Sequence, residues 1–229
     1  MKALHLIKKL IVDSQILVAL CGTAFAVFFM MEQKEWDLLN LFLIFILYWN
    51  GYLYTKFQRS LYKTPIIFIN ILSLLILLYN FHKINYKWLI ILALGISYNS
   101  SFLYKGTRNF PLVKNFHIAL VWSLINAWLF QNTLNWSAFI CSFLFIFTLI
   151  LPFDIRDMKQ DKILTFPKLI GIKATKTLCY ILIISANLLS FFHFEKPHSL
   201  AFALASIMSV FIIFKTENHR SDAYFYVLV

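Results

Sequence analysis

WSAFICSFLFIFTLILPF (136–153) runs directly into DIRDMKQD (154–161). The first stretch has 18 residues and no formal charge, and as a helix it spans about 27 Å, close to the ~30 Å of a bilayer's hydrocarbon. The second holds three of the chain's ten acidic side chains: Asp154, Asp157 and Asp161. Continued as helix, offsets of 0, 3 and 7 residues place these carboxylates within roughly 60° of arc, with Arg156 and Lys159 on the other side. Three like charges held together repel one another and call for a cation. Hard carboxylate oxygens suit Mg²⁺, which binds through one or two carboxylates, waters and substrate phosphates. The alternative is a solvated acidic loop beside a membrane.

Composition fixes the class. The chain is 61% hydrophobic and only 14% charged, with 25 Phe among 229 residues, more apolar surface than one soluble core can hide. Apolar runs long enough to span occur near 11–31, 36–55, 64–81, 88–104, 115–131, 136–153, 177–193 and 198–214. They are continuously apolar and do not alternate, which disfavours a β-barrel. The expected fold is an all-α polytopic bundle of about eight spans, forming one membrane-embedded domain over 1–229.

Basic residues orient it. The connections on one side carry 17 of the 21 Lys and Arg; the other side has Lys34, Lys83, Lys87 and Lys196. By the positive-inside rule, both termini and the Asp cluster are cytoplasmic. Topology and anionic lipid account for the net charge of +11 without nucleic acid as a partner. Lys2, Lys8 and Lys9 precede an apolar stretch interrupted by Asp13 and Gln15, with no small-residue cleavage site, so the first run reads as an uncleaved span. Cys21, Cys141 and Cys179 all fall inside runs and read as buried thiols. The six His, among them a solitary His117, build no site, and no HExxH, CxxC, GxGxxG or P-loop pattern occurs.

Two cytoplasmic connections are long and chemically loaded. One runs from Tyr98 to Lys114 through Lys105, Arg108 and Pro111; the other runs from Asp154 to Lys176 through Pro167 and Gly171.

The stretch Phe153 to Lys162, followed by Thr165-Phe166-Pro167 and Leu169-Ile170-Gly171, resembles the second aspartate-rich motif and downstream segment of UbiA-type membrane prenyltransferases. The 98–105 loop, with Arg108, Pro111 and Lys114, is similar to the Tyr-and-Lys loop preceding that family's fifth helix. The resemblance covers most of the chain in helix order and loop placement. It implies a nine-helix bundle with Asp-rich motifs after the second and sixth helices. Here the ninth helix is missing or truncated: after Asp222 only the apolar start Ala223 to Val229 follows. At the first motif Asn50 is retained, but Tyr54 and Gln58 stand at the two acidic positions. Two oxygen donors for a second metal are thus lacking.

What the resemblance implies is Mg²⁺-dependent transfer of a polyprenyl group from its diphosphate to an aromatic or lipid acceptor. Asp157 and Asp161 would be the main metal ligands and Asp154 a third carboxylate. Lys105 and Arg108 would contact the diphosphate, with Asn50 and Tyr98 in its pocket, and Asn126 would face the bundle interior. The other function class is a noncatalytic UbiA-like membrane protein that binds a prenyl lipid or a protein partner.

The charge asymmetry predicts a cytoplasmic response from a reporter fused after Val229 and an external one from a reporter in the 132–135 loop. The reverse at either site contradicts the orientation.

Overall fold

The structure, a computed structural model, describes residues 16–34, 37–57, 86–98, 110, 112–131, 133–159, 161 and 163–217. Seven helices and no strands occur among them: α1 (Ile16–Glu32), α2 (Leu38–Phe57), α3 (Tyr86–Tyr98), α4 (Val113–Ala127), α5 (Trp136–Asp157), α6 (Phe166–His193) and α7 (Lys196–Lys215). Seven of the eight apolar runs coincide with a described helix, and the run 64–81 lies outside the described residues. The protein is all-α. By length and composition three of the described helices, α5, α6 and α7, can cross a membrane, whereas α1 and α3 are shorter apolar helices.

The chain divides within α3, after Leu92, into two compact units. In the first, α1 packs against α2. Ala19, Gly22 and Ala26 lie on the buried face of α1, a small-residue surface that lets two helices approach closely.

In the second unit α5 is central, packing on α4 at one side and α6 at the other, with α7 on α6. Of its most apolar window, 61% is buried against 22% for α6 and α7. Its start is set by Asn135, whose side chain accepts from the Ala138 N–H at 3.0 Å, an N-cap. Polar groups pair across the helices. Asn126 faces the interior, only 2% exposed, and donates to Ser142 Oγ at 2.8 Å.

Pro152 lies inside α5. A proline has no N–H, so the carbonyl four residues earlier, that of Thr148, loses its helical donor. The Cys179 thiol of α6 reaches that carbonyl at 3.8 Å, and the Cys141 thiol donates to the Ala186 carbonyl at 3.5 Å. Both thiols are thus packing groups of the α5–α6 interface, as expected from their placement inside apolar runs.

α6 is two helical pieces joined at Gly171, whose φ of 82° and ψ of 161° belong to a region open essentially to glycine alone. The kink separates the short piece that follows the Asp cluster from the long apolar rod behind it. Gly171→Ala should therefore lower stability by about 1–3 kcal/mol, although a Cβ there meets no atom within 4 Å. Denaturation in detergent checks this, and an unchanged midpoint would show that the kink carries no strain.

Candidate functional site

The end of α5, the start of α4 and the turn before α6 meet at one charged cluster. The Lys114 ammonium lies 2.7 Å from Asp154 Oδ1 and 2.8 Å from Asp161 Oδ2. Asn115 donates its amide N–H to the other Asp154 oxygen at 2.7 Å. Asp154 is 2% exposed, and among the described residues every contact that keeps it ionised comes from these two consecutive residues of α4. Lys168 donates to the Asp161 backbone carbonyl.

Local backbone geometry explains the convergence. Leu112, with φ of 62°, turns the chain into α4, and its N–H donates to the Leu164 carbonyl at 3.4 Å. That bond joins the entry of α4 to the segment entering α6. Beyond the last turn of α5, the Asp161 N–H donates to the Asp157 carbonyl at 2.8 Å, one more bond of the helical i to i+4 kind. Asp161 thereby approaches Lys114, 47 residues earlier in sequence.

The expected face of three carboxylates is instead a contact of two. Asp154 and Asp161 share Lys114, whereas Asp157, the last residue of α5, is taken by its neighbour. Arg156 does not turn away either: its guanidinium grips Asp157 with Nε at 2.6 Å and a terminal nitrogen at 2.8 Å. Among the described residues, no three His, Cys, Asp or Glu side chains gather in metal-binding geometry.

Tyr98 ends α3, its ring 5.5 Å from that of His117 on α4. The His117 Nε2 lies 2.9 Å from the Leu94 carbonyl. His117 and Lys114 are three residues apart and share a helix face, so Tyr98 stands one turn along α4 from the cluster. Asn50 is half-buried on α2, in the first unit. Lys105, Arg108 and Gln58, and the side chain of Tyr54, lie outside the described residues.

Beneath the charges lies a group of rings. Phe147 of α5 is 4.8 Å from Phe116 of α4 and 5.5 Å from Phe166 of α6, centroid to centroid. The row continues along α5 through Phe143 and Phe139 to Trp136, with successive centroids 5.9–6.2 Å apart. Phe147 and Asp154, seven residues apart, share a helix face. One face of α5 thus carries an aromatic strip ending in a buried carboxylate.

The chain matches no family model, no curated protein and no solved structure. What the site can do rests on its own chemistry.

By donor type, two carboxylates in place of three suit the Mg²⁺ that the UbiA-type resemblance implies. Asp154 Oδ1 and Asp161 Oδ2 are no further apart than their summed distances to Lys114, 5.5 Å. Asn115, wholly buried, has an amide oxygen that accepts no hydrogen bond among the described residues. Two carboxylates with waters and phosphate oxygens make an ordinary Mg²⁺ environment.

Lys114 precedes the apolar run 115–131. Burial works against its charge, yet hydrogen bonds and the field of Asp154 and Asp161 raise its pKa above the usual lysine range. A raised folded pKa means that the pair's stabilisation is complete below about pH 10.4 and is lost as pH rises through the folded value. Sequence reading placed Lys114 in the loop and missed it as the partner. The available signal was general: clustered carboxylates need a nearby cation to stay ionised.

Unequal burial predicts unequal costs. Lys114→Met leaves Asp154 without its cation and should cost about 3–5 kcal/mol. Arg156→Gln breaks a pair whose members are 27% and 32% exposed and should cost no more than about 1 kcal/mol. Unfolding midpoints of the two variants in detergent check the ranking, and equal losses would contradict it.

Proposed function

We propose that this chain is an integral-membrane, Mg²⁺-dependent prenyltransferase of the UbiA type, an eight-span bundle with both termini in the cytoplasm. The observation that carries the reading is the pairing of a buried ionic cluster with a strip of aromatic rings on one helix. A prenyl diphosphate has the same two halves, an anionic head and an unsaturated hydrocarbon tail. The geometry supports a head at Asp154, Asp161 and Lys114 and a tail along Phe147, Phe143 and Phe139.

In the reaction, the allylic C–O bond breaks and its electron pair leaves with diphosphate. The prenyl carbon bonds to a nucleophilic atom of an aromatic or lipid acceptor, which gives up a proton. A bound Mg²⁺ supplies positive charge to the departing diphosphate, and Asp154 and Asp161 would hold it, with Asp157 available once it parts from Arg156. The Lys114 ammonium is placed to stabilise charge on phosphate oxygens, and Lys105 and Arg108 would extend that role, as the UbiA-type resemblance implies. The ring faces of Phe116, Phe147 and Phe166 favour the positive charge developing on the prenyl carbon and exclude water from it.

A specific observation favours the second reading, a noncatalytic protein that binds a prenyl lipid. Lys114 and Arg156 already pair all three carboxylates, and such a binder needs no metal.

The deciting experiment is binding of farnesyl and longer prenyl diphosphates by the purified protein with and without Mg²⁺, alongside pyrophosphate release. The transferase reading expects Mg²⁺-dependent binding, weakened roughly tenfold or more in an Asp154→Asn, Asp161→Asn double variant, and release of pyrophosphate. Binding without Mg²⁺ and without release supports the noncatalytic reading, and no binding at all overturns both.

A further inference from the structure

The nitrogen of Lys114 sits where a divalent cation would sit. It touches one oxygen of each of two carboxylates, at 2.7 and 2.8 Å, and these come from different segments, so the contact bridges the site as a metal would. The surroundings are incomplete for an ammonium alone. Asn115 gives its N–H to Asp154, and the oxygen of that same buried amide has no donor among the described residues. An amide oxygen next to paired carboxylates is a further hard ligand for a dication. Lysine suits a displaceable role, since its ammonium is a compact charge on a flexible four-carbon stem. The Lys114 side chain is 15% exposed, against 3% for Asp154, so it has an edge from which to withdraw.

We propose that Lys114 is a built-in counter-ion that holds the divalent-cation position between Asp154 and Asp161, so that metal enters only as the ammonium leaves. The inference rests on the reading of Asp154 and Asp161 as the metal-binding pair and adds how that pair is regulated. With Lys114 in place, the carboxylates are neutralised and the free protein binds metal weakly. Ammonium and dication cannot share the site, because two positive charges within about 4 Å repel strongly where water is scarce. While Lys114 holds the site, Asp157 takes no part, being held by Arg156.

The test is Mn²⁺ binding to the full-length chain in detergent, followed by the electron-spin signal of free Mn²⁺ and by thermal unfolding. Lys114→Met and Lys114→Gln should each bind Mn²⁺ roughly tenfold or more tightly than the unaltered chain. Mn²⁺ should also raise their unfolding temperatures, replacing the missing charge, while leaving that of the unaltered chain nearly unchanged. Lys114→Arg, which keeps the charge, should bind as weakly as the unaltered chain. Adding Asp154→Asn to Lys114→Met should remove the gain. The proposal is overturned if neither neutral variant is tightened or stabilised by Mn²⁺, or if Lys114→Arg binds as tightly as they do. Tight Mn²⁺ binding by the unaltered chain, lost in Asp154→Asn but unaffected by Lys114→Met, would remove the counter-ion role and leave the metal-dependent reading standing. Metal binding confined to the neutral variants, with no prenyl diphosphate binding by the unaltered chain, would do the reverse.

Discussion

A carboxylate that is 2% exposed at the end of an apolar helix has to be paired or it will not stay charged, and that requirement organises this end of the second unit. Asp154 draws Lys114 and Asn115 from α4, and Lys114 in turn holds Asp161 from the turn after α5. The start of α4 and the end of α5 with the turn after it, distant in sequence, are fixed by one ammonium. Removing water from such charges is costly, and the geometry offsets that cost through short, saturated contacts on both Asp154 oxygens. The Leu112 to Leu164 backbone hydrogen bond ties the entries of α4 and α6 independently of charge.

The two breaks in helical regularity serve that arrangement. Pro152 stands two residues before Asp154, and the carbonyl it leaves without a donor is met by a thiol from α6. Gly171 bends α6 so that its first turn, carrying Phe166 and Pro167, can lie against Phe147 and Phe116 while the remaining rod packs along α5. An uninterrupted helix would carry the Phe166 segment along the rod's own axis. The bend is therefore what places an aromatic floor beneath the charges.

Much of this was legible in the sequence, for a physical reason: apolar runs long enough to cross a membrane must satisfy their backbone internally, so they are helices. The run 136–153 appears as α5, Asn126 does face inward, and the Asp cluster does follow the sixth run. The number of spans was less legible, since described helices such as α3 and α4 are shorter than the runs that announced them. Pairings were least legible. Lys114 and Asp161 are separated by 47 residues, and nothing local to either distinguishes this lysine from the other basic residues of the loops. The helical offsets did bring Asp154 and Asp161 together; they misled at Asp157, where Arg156 takes the carboxylate beside it.

The contact between Lys114 and the two aspartates can be measured directly by carbodiimide coupling, which joins an amine to a carboxylate already in contact without adding a spacer. Treatment of the folded protein followed by peptide mass analysis should recover Lys114 linked to Asp161 or Asp154, and the link should vanish when the protein is unfolded before coupling. Recovery of Lys114 unlinked, or linked to a different carboxylate, would contradict the cluster on which the site is built.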